Sequence, residues 1–279
     1  MVKKCCRRAA IINIIFFLHC FCLLTGCKVD FLGFFGSSDL DDRLKERDNF
    51  RFLSPDDRTL SLGEEFSFIV LCDTHIEGGN IHGLVKLKDV IDSDSEIKFV
   101  VFNGDIAQHG KQQNIETFIK IAKSLSVPCY PVIGNHDVYF GNWSVWKNLI
   151  GSTRYRINGG GVTLFILDSA NAYFGKDQLN WLEKELKNTA NRVFIFSHVN
   201  LFVKSPVSIQ QFTDIRERAR FVSLLQNRCD AMFMGHSHMR DERETGGIRF
   251  ITVEDYQTHR IYCRVSVKKT GISREFKKL

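Results

Sequence analysis

The sequence predicts an α/β fold, and three observations carry that expectation. Short, uninterrupted apolar runs recur at residues 66–72, 97–103, 127–133, 162–167, 192–196, 231–234, 248–253 and 260–267. Continuous rather than alternating runs suit strands covered on both faces. Segments with helical spacing lie between most of them, at 81–91, 115–125, 178–186 and 213–226. Such alternation builds a sheet with helices packed on it. Third, five of the runs are followed within a few residues by Asp, His or Asn, which gathers polar side chains at the carboxyl ends of strands.

Taken in order, the chain opens on an address. Residues 1–8 are basic and residues 9–24 almost wholly apolar, the layout of a signal peptide. The apolar run is shorter than the ~20 residues of a spanning helix. Leu24-Thr25-Gly26-Cys27 follows directly and resembles a bacterial lipobox, in which cleavage precedes a cysteine that is then lipidated. The expected organisation is a lipoprotein signal peptide at 1–26, a lipidated Cys27 with a tether at 27–63, and a folded domain at 64–279. A retained apolar anchor is the alternative. Either places the domain outside the cytoplasm, held to a membrane of the bacterial cell envelope. Charges crowd residues 39–48 without strand or helix periodicity, hence the tether.

Charge and cysteine usage narrow the field. The formal charge is +6, but Lys3, Lys4, Arg7 and Arg8 belong to the signal segment, which leaves about +2 for the body. A near-neutral body gives no support to a nucleic-acid partner. Five of the nine cysteines fall within the first 27 residues, and Cys72, Cys129, Cys229 and Cys263 show no CxxC spacing. A zinc-ribbon reading is therefore weak, and a disulfide among the four stays open.

Within the domain, Leu179, Leu182 and Leu186 recur at helical steps beside Glu183, Lys184 and Lys187, with Asp177 expected as the N-cap. The last two apolar runs have no helical segment between them and are expected to pair as an antiparallel hairpin.

The polar strand ends carry the chemistry. The run ending at Cys72 leads into Asp73-Thr74-His75, and the one ending at Asn103 into Gly104-Asp105. The third leads into Gly134-Asn135-His136-Asp137, the fifth into Ser197-His198, the sixth into Gly235-His236-Ser237-His238. Ligands of open α/β sheets bind at the carboxyl ends of strands, so these residues are expected to converge. The donors are carboxylate, amide and imidazole without thiolate, which suits Mn, Fe or Zn. They are too many for one tetrahedral ion, and two divalent ions sharing a carboxylate fit the count. Gly104, Gly134 and Gly235 allow the backbone to approach an ion closely.

The ordered set DTH, GD, GNHD, H and GHSH resembles the calcineurin-like metallophosphoesterase superfamily over residues 73–238, and the strand pattern extends the likeness to about 64–267. That resemblance implies a four-layer α/β/β/α sandwich. It implies that Asp73, His75 and His238 hold one metal, that Asn135, His198 and His236 hold the other, and that Asp105 bridges them. His136 would face the substrate phosphate, with Asp137 orienting its ring. The implied activity is hydrolysis of a small phosphate ester, mono- or diester, by a hydroxide held between the metals. His136 would steady the developing charge or protonate the leaving group.

Two departures refine the likeness. Purple acid phosphatases carry a tyrosine three residues after the bridging aspartate, where this chain has Gln108. Lipid A precursor pyrophosphatases replace the GNHD histidine by arginine, where this chain has His136. Outside the motifs, His82 and His259 read as surface histidines, Asp168 as a structural hydrogen-bonding group, and Arg216, Arg218 and Arg220 as a solvated helix face. His109 is near enough to Asp105 to line a pocket. Two other classes stay open, a metal-binding surface lipoprotein with little catalysis and an extracellular nuclease.

Overall fold

The computed structural model describes residues 36, 38–189, 192–202 and 210–279. Cys27 and the expected signal segment lie outside these residues. Every apolar run becomes a strand, and three further strands join them. In chain order they are β1 (Phe66–Leu71), β2 (Ile97–Asn103), β3 (Cys129–Val132), β4 (Tyr155–Gly159), β5 (Val162–Ile166), β6 (Arg192–Phe196), β7 (Ala231–Met234), β8 (Asp241–Thr245), β9 (Ile248–Thr252), β10 (Ile261–Lys268) and β11 (Gly271–Lys278). The α-helices are α1 (Leu40–Leu44), α2 (Lys86–Asp92), α3 (Gln112–Lys123), α4 (Trp143–Leu149), α5 (Gly175–Leu186), α6 (Ile215–Leu225) and α7 (Tyr256–His259). Among the described residues, none of these is long and apolar enough to cross a membrane.

The strands form two sheets, ordered β11-β10-β1-β2-β3 and β4-β5-β6-β7-β9-β8. β1, β2 and β3 run parallel, as do β5, β6, β7 and β9. Strand periodicity sorts the side chains into layers. Phe66, Phe68 and Val70 of β1 point between the sheets, where they meet Phe99, Phe194, Phe196 and Phe233. Ile69 and Leu71 point the other way, into the layer with Leu87, Ile115, Phe118 and Trp146 of α2, α3 and α4. The outer face of the second sheet, with Phe165, Ile195 and Met232, is covered by Leu179, Leu182, Phe221 and Leu225 of α5 and α6. The result is the expected α/β/β/α sandwich. Its central layer is aromatic: the Phe68 ring stacks on Phe99 at 4.7 Å and meets Phe194 edge-on at 5.2 Å. Much of the phenylalanine in the sequence is spent here, each burial contributing about 1.5–3 kcal/mol.

Three local expectations are corrected, and one open question is closed. β9 and β10 do not form a hairpin: β9 pairs with β7 and β8, β10 with β1 and β11, and α7 carries the chain from one sheet to the other. The hairpin partners were the hidden strands. β8 reads Asp-Glu-Arg-Glu-Thr and is largely exposed at a sheet edge, so it has no apolar signature. Asp177 sits within the first turn of α5, whose N-cap position is Phe174. Cys72, Cys129, Cys229 and Cys263 are buried free thiols, which closes the disulfide question for these four.

The third correction concerns the tether. From Leu40 the segment packs on the domain, with Leu40, Leu44, Leu53 and Leu60 buried. Its anchor is Arg43, fully buried, which donates from Nε and Nη2 to the two carboxylate oxygens of Asp168 at 2.7 and 2.8 Å. Arg43 also donates to Ser38 and Asn171, so the fork is satisfied on every side. A charge-rich stretch looks solvated in sequence, because the partner of its one buried cation lies 125 positions away.

Candidate metal centre

The strand ends converge as expected. Asp73 and His75 follow β1, Asp105 follows β2, Asn135 and His136 follow β3, His198 follows β6, and His236 and His238 follow β7. The first five come from one sheet and the last three from the other, so the site lies across the top of the sandwich. Asp73, His75, Asp105, His236 and His238 all have left-handed backbones, with φ between 43° and 66°. Side chains rarely accept this conformation, at a cost of order 1–3 kcal/mol each, and such strain concentrates where function over-determines the geometry. Backbone hydrogen bonds hold it: Asp73 N–H donates to Gly104 O and His75 N–H to Asp105 O.

The glycines allow the sheets to close. A Cβ on Gly104 would lie 2.3 Å from His198 Nδ1, and one on Gly134 would lie 2.2 Å from Asp105 Oδ1. No other residue fits between those strand ends.

Three sets of donors fall within ligand range of one another: Asp73, His75 and His238; Asp105, His198 and His236; and His75, Asp105 and His136. The first has the residues expected at one site, and the second joins His198 and His236 of the other to Asp105. Asp105 Oδ2 lies 3.1 Å from His198 Nε2 and 3.9 Å from His75 Nε2, between the two groups, as a shared carboxylate must. Asp73 Oδ1 lies 3.3 Å from His238 Nε2 and 3.8 Å from His75 Nε2.

Tautomers follow from what the far side of each ring touches. His198 Nδ1–H donates to Asn103 O at 3.0 Å, which leaves Nε2 as the ligand atom. His236 is reversed: Nε2–H donates to Gln210 O at 2.9 Å, so Nδ1 faces the centre. Asn135 Nδ2 donates to Tyr139 Oη at 2.8 Å, which turns its Oδ1 inward.

Whether these residues suit metal ions can be judged from the site. Asp73 Oδ1, His75 Nε2, Asn135 Oδ1 and His198 Nε2 are buried and have no hydrogen-bond partner. Orphaned buried polar atoms are costly unless something satisfies them, and here they surround one space. Electrostatics agree. Burial opposes the ionisation of both carboxylates, yet neighbouring imidazoles, His198 foremost, hold Asp73 below and Asp105 well below the usual carboxylate value. His198 is in turn pushed up against burial by Asp105 and Asp73. Two buried carboxylates thus draw a positive charge into the site, the place a divalent cation would take. Burial lowers His75 and His236 to about 4, which keeps both neutral and able to ligate. The donor set fits two metal ions.

A sequence profile described as calcineurin-like phosphoesterase matches residues 66–240. The chain belongs to this family. A curated relative, a probable cyclic nucleotide phosphodiesterase of Fibrobacter succinogenes, is 25% identical over 161 residues, which is 53% of this chain and 60% of the relative's length. The chain therefore aligns with well under two thirds of that protein. Among solved structures, a dimetal phosphatase from Danio rerio superposes with a TM-score of 0.61 at 15% identity, covering 76% of this chain and 96% of the other. Purple acid phosphatase from yellow lupin seeds gives 0.61 at 14% identity over 78% of this chain and 52% of its own. At such identities the structures share a fold and nothing finer.

Within this phosphoesterase site, one expected role is corrected. Asp137 does not orient His136. Its carboxylate accepts from the backbone N–H of Ala107 at 2.8 Å, Gly134 at 2.9 Å and Ile106 at 3.3 Å, and so ties the loop after β2 to the loop after β3. Burial, with Asp105 nearby, raises its pKa to about 7. The His136 ring is oriented instead by Gln108, whose carbonyl accepts from Nδ1–H at 2.7 Å. That leaves Nε2 facing the site, 3.9 Å from Asp105 Oδ2.

Gln108, Tyr139 and Gln210 are the residues that sequence reasoning missed as parts of the site. Two act through backbone carbonyls, which leave no mark on residue choice. Tyr139 had one available signal, its position four residues after Asn135. The remaining histidines sit apart from the two expected metal sets: His109 lies 3.5 Å from Glu77 at the rim, and His259 pairs with Asp255 at 2.8 Å. Arg218 and Arg220 of α6 bond to Leu201 O and to Asn180 and Glu183.

Proposed function

We propose that the protein is a two-metal hydrolase of phosphate esters acting outside the cytoplasm. The observation that carries the reading is the convergence of carboxylate, amide and imidazole donors from five strand ends, among them the buried Asp73 Oδ1, His75 Nε2, Asn135 Oδ1 and His198 Nε2 without hydrogen-bond partners. Asp73, His75 and His238 would hold one ion, Asn135, His198 and His236 the other, with Asp105 shared. Bound there, two divalent ions supply charge to the phosphoryl oxygens and acidity to water. The chain's own contribution is orientation and a proton. Asn103, Gln210 and Tyr139 fix which atom of His198, His236 and Asn135 faces the ions. His136, with Nδ1–H held by Gln108, presents Nε2 to the leaving oxygen and, when protonated, can deliver a proton to it. Asp137 keeps the two loops that carry Asp105 and His136 in register. The printed name of the curated relative favours a phosphodiester over a monoester. The signal-peptide layout and Cys27 support an extracytoplasmic, lipid-anchored form.

Stripping metal and reloading Mn²⁺, Zn²⁺ or Fe²⁺ should restore turnover of a nitrophenyl phosphomonoester or of bis-p-nitrophenyl phosphate. Asp105→Ala and His136→Ala should abolish it. The ratio of the two rates separates phosphatase from phosphodiesterase. If two ions bind and neither ester turns over, a metal-binding protein is the better description. Cys27→Ser should abolish metabolic labelling by palmitate, and retained labelling would remove the lipoprotein assignment.

A further inference from the structure

Exposed apolar side chains are common and singly mean little. Their placement here is informative. Among the described residues, the large hydrophobic side chains left exposed are Val85 (60%), Phe140 (45%), Ile215 (69%) and Met239 (47%). All four lie at the same end of the sandwich. Val85 immediately precedes α2, which returns from the carboxyl end of β1 to the start of β2. Phe140 lies in the turn after β3, in the 3₁₀ segment His136–Gly141, with a left-handed backbone at φ 58°. Ile215 opens α6 on the way from β6 to β7, and Met239 follows His238 after β7. Each therefore sits on a loop that leaves a ligand-bearing strand end. Lys86 and Arg216 directly follow Val85 and Ile215, the pairing of apolar and cationic side chains that suits an anionic bilayer surface. The opposite end is charged instead, with the Lys269–Glu64 and Arg192–Asp230 ion pairs at its turns.

A second observation concerns where the N-terminal segment meets the domain. Gly36 accepts a hydrogen bond from Gly141 N–H, and a Cβ on Gly36 would lie 2.9 Å from Phe140 Cα. The chain thus joins the domain beside Phe140, on the same face. Nine Cα–Cα steps lead from Cys27 to Gly36, a reach of at most about 30 Å. A domain of this size is roughly 45 Å across. A membrane-bound Cys27 would therefore hold the catalytic face, and not the far end, near the bilayer.

We infer that the catalytic face lies against the membrane and that the substrate is a phosphoester carried by a lipid, its phosphate in the site and its acyl chains in the bilayer. This rests on the hydrolase reading and names the substrate class for it. Val85, Phe140, Ile215 and Met239 insert at the interface and bring the mouth of the site to headgroup depth. Water supplies the oxygen that bonds to phosphorus, the bond from phosphorus to the lipid alcohol oxygen breaks, and that oxygen takes up a proton. From phosphatidic acid the products are diacylglycerol and inorganic phosphate.

The test uses the full chain, Mn²⁺-loaded, in phosphatidylcholine vesicles containing phosphatidic acid or phosphatidylglycerol, with bis-p-nitrophenyl phosphate in solution as the reference ester. The double variant Val85→Glu, Ile215→Glu should leave the soluble ester's turnover unchanged and reduce hydrolysis of the vesicle-borne ester at least tenfold. Lys269→Glu, at the far end, should change neither rate. Hydrogen exchange should slow on vesicles at residues 81–85 and 136–141 and stay unchanged at 268–271. Equal vesicle activity of the double variant and the parent overturns the inference, as does protection at the far end. Turnover of the soluble ester with neither lipid hydrolysed overturns the substrate class alone. No turnover of any ester defeats the hydrolase reading itself, and the exchange pattern then still decides which face meets the membrane.

Discussion

The two ends of the same strands are built by different rules. At the carboxyl ends, Asp73, His75, Asp105, His236 and His238 hold left-handed backbones, and Gly104 and Gly134 leave no room for a methyl group. At the other end, a Cβ on Gly63 would meet nothing nearer than Glu65 O at 3.7 Å, one on Gly159 would meet Leu60 O at 1.9 Å with no donor set beside it, and the β10–β11 turn carries solvated charge. Both ends share one aromatic core, so the difference is not one of burial along the strands. It lies in what each end must hold: at the carboxyl ends, left-handed backbones and unsatisfied polar atoms belong to one donor set that bound ions would satisfy. Among the described residues the far end gathers no such donor set.

That contrast can be broken from either side. The largest effect is expected from Asp105→Ala, which removes the carboxylate shared by both ligand groups. Turnover should fall at least about 10³-fold, the upper range for a preorganised electrostatic group, and calorimetric titration should show the loss of at least one bound ion. Full metal occupancy and normal turnover would show that Asp105 is not shared. Gly104→Ala comes next, since its methyl would occupy the place of the His198 ring. Metal affinity should drop by about 100-fold. Affinity within twofold of the parent would mean that the His198 ring can move aside without loss of the ligand geometry.

Tyr139→Phe sharpens the comparison by removing only the hydroxyl that orients Asn135. Metal affinity should weaken about tenfold while the melting temperature stays near that of the parent. A change in melting temperature with unaltered affinity would make Tyr139 a packing residue. The smallest effect belongs to the far end. Gly63→Ala should shift stability by no more than about 0.5 kcal/mol and leave metal binding untouched. A large loss there would show that Gly63 is confined by more than its nearest neighbours.

The comparison also explains which parts of the molecule could be read in advance. The apolar runs named their strands because buried strands need continuous hydrophobic surface. The edge strands β8 and β11 escaped because an edge needs charge more than apolar surface. The candidate ligands announced themselves as Asp, His and Asn at strand ends. Their orienting partners did not, since Gln108 and Gln210 act through carbonyls that every residue possesses. Asp137 was placed correctly in the site and given the wrong task, because a sequence shows a carboxylate beside a histidine without showing which donors it faces.

The sequence by itself determined the family resemblance, the α/β alternation and the candidate donor set, because each is written in local residue type and spacing. Only the tertiary structure decided that the charge-rich segment after Ser38 is part of the domain, that β9 and β10 belong to different sheets, which nitrogen of each histidine faces inward, and that the exposed apolar side chains share the catalytic face. Those features depend on partners far away in sequence, brought together by sheet packing, and no local pattern encodes a contact made by residues 125 positions apart.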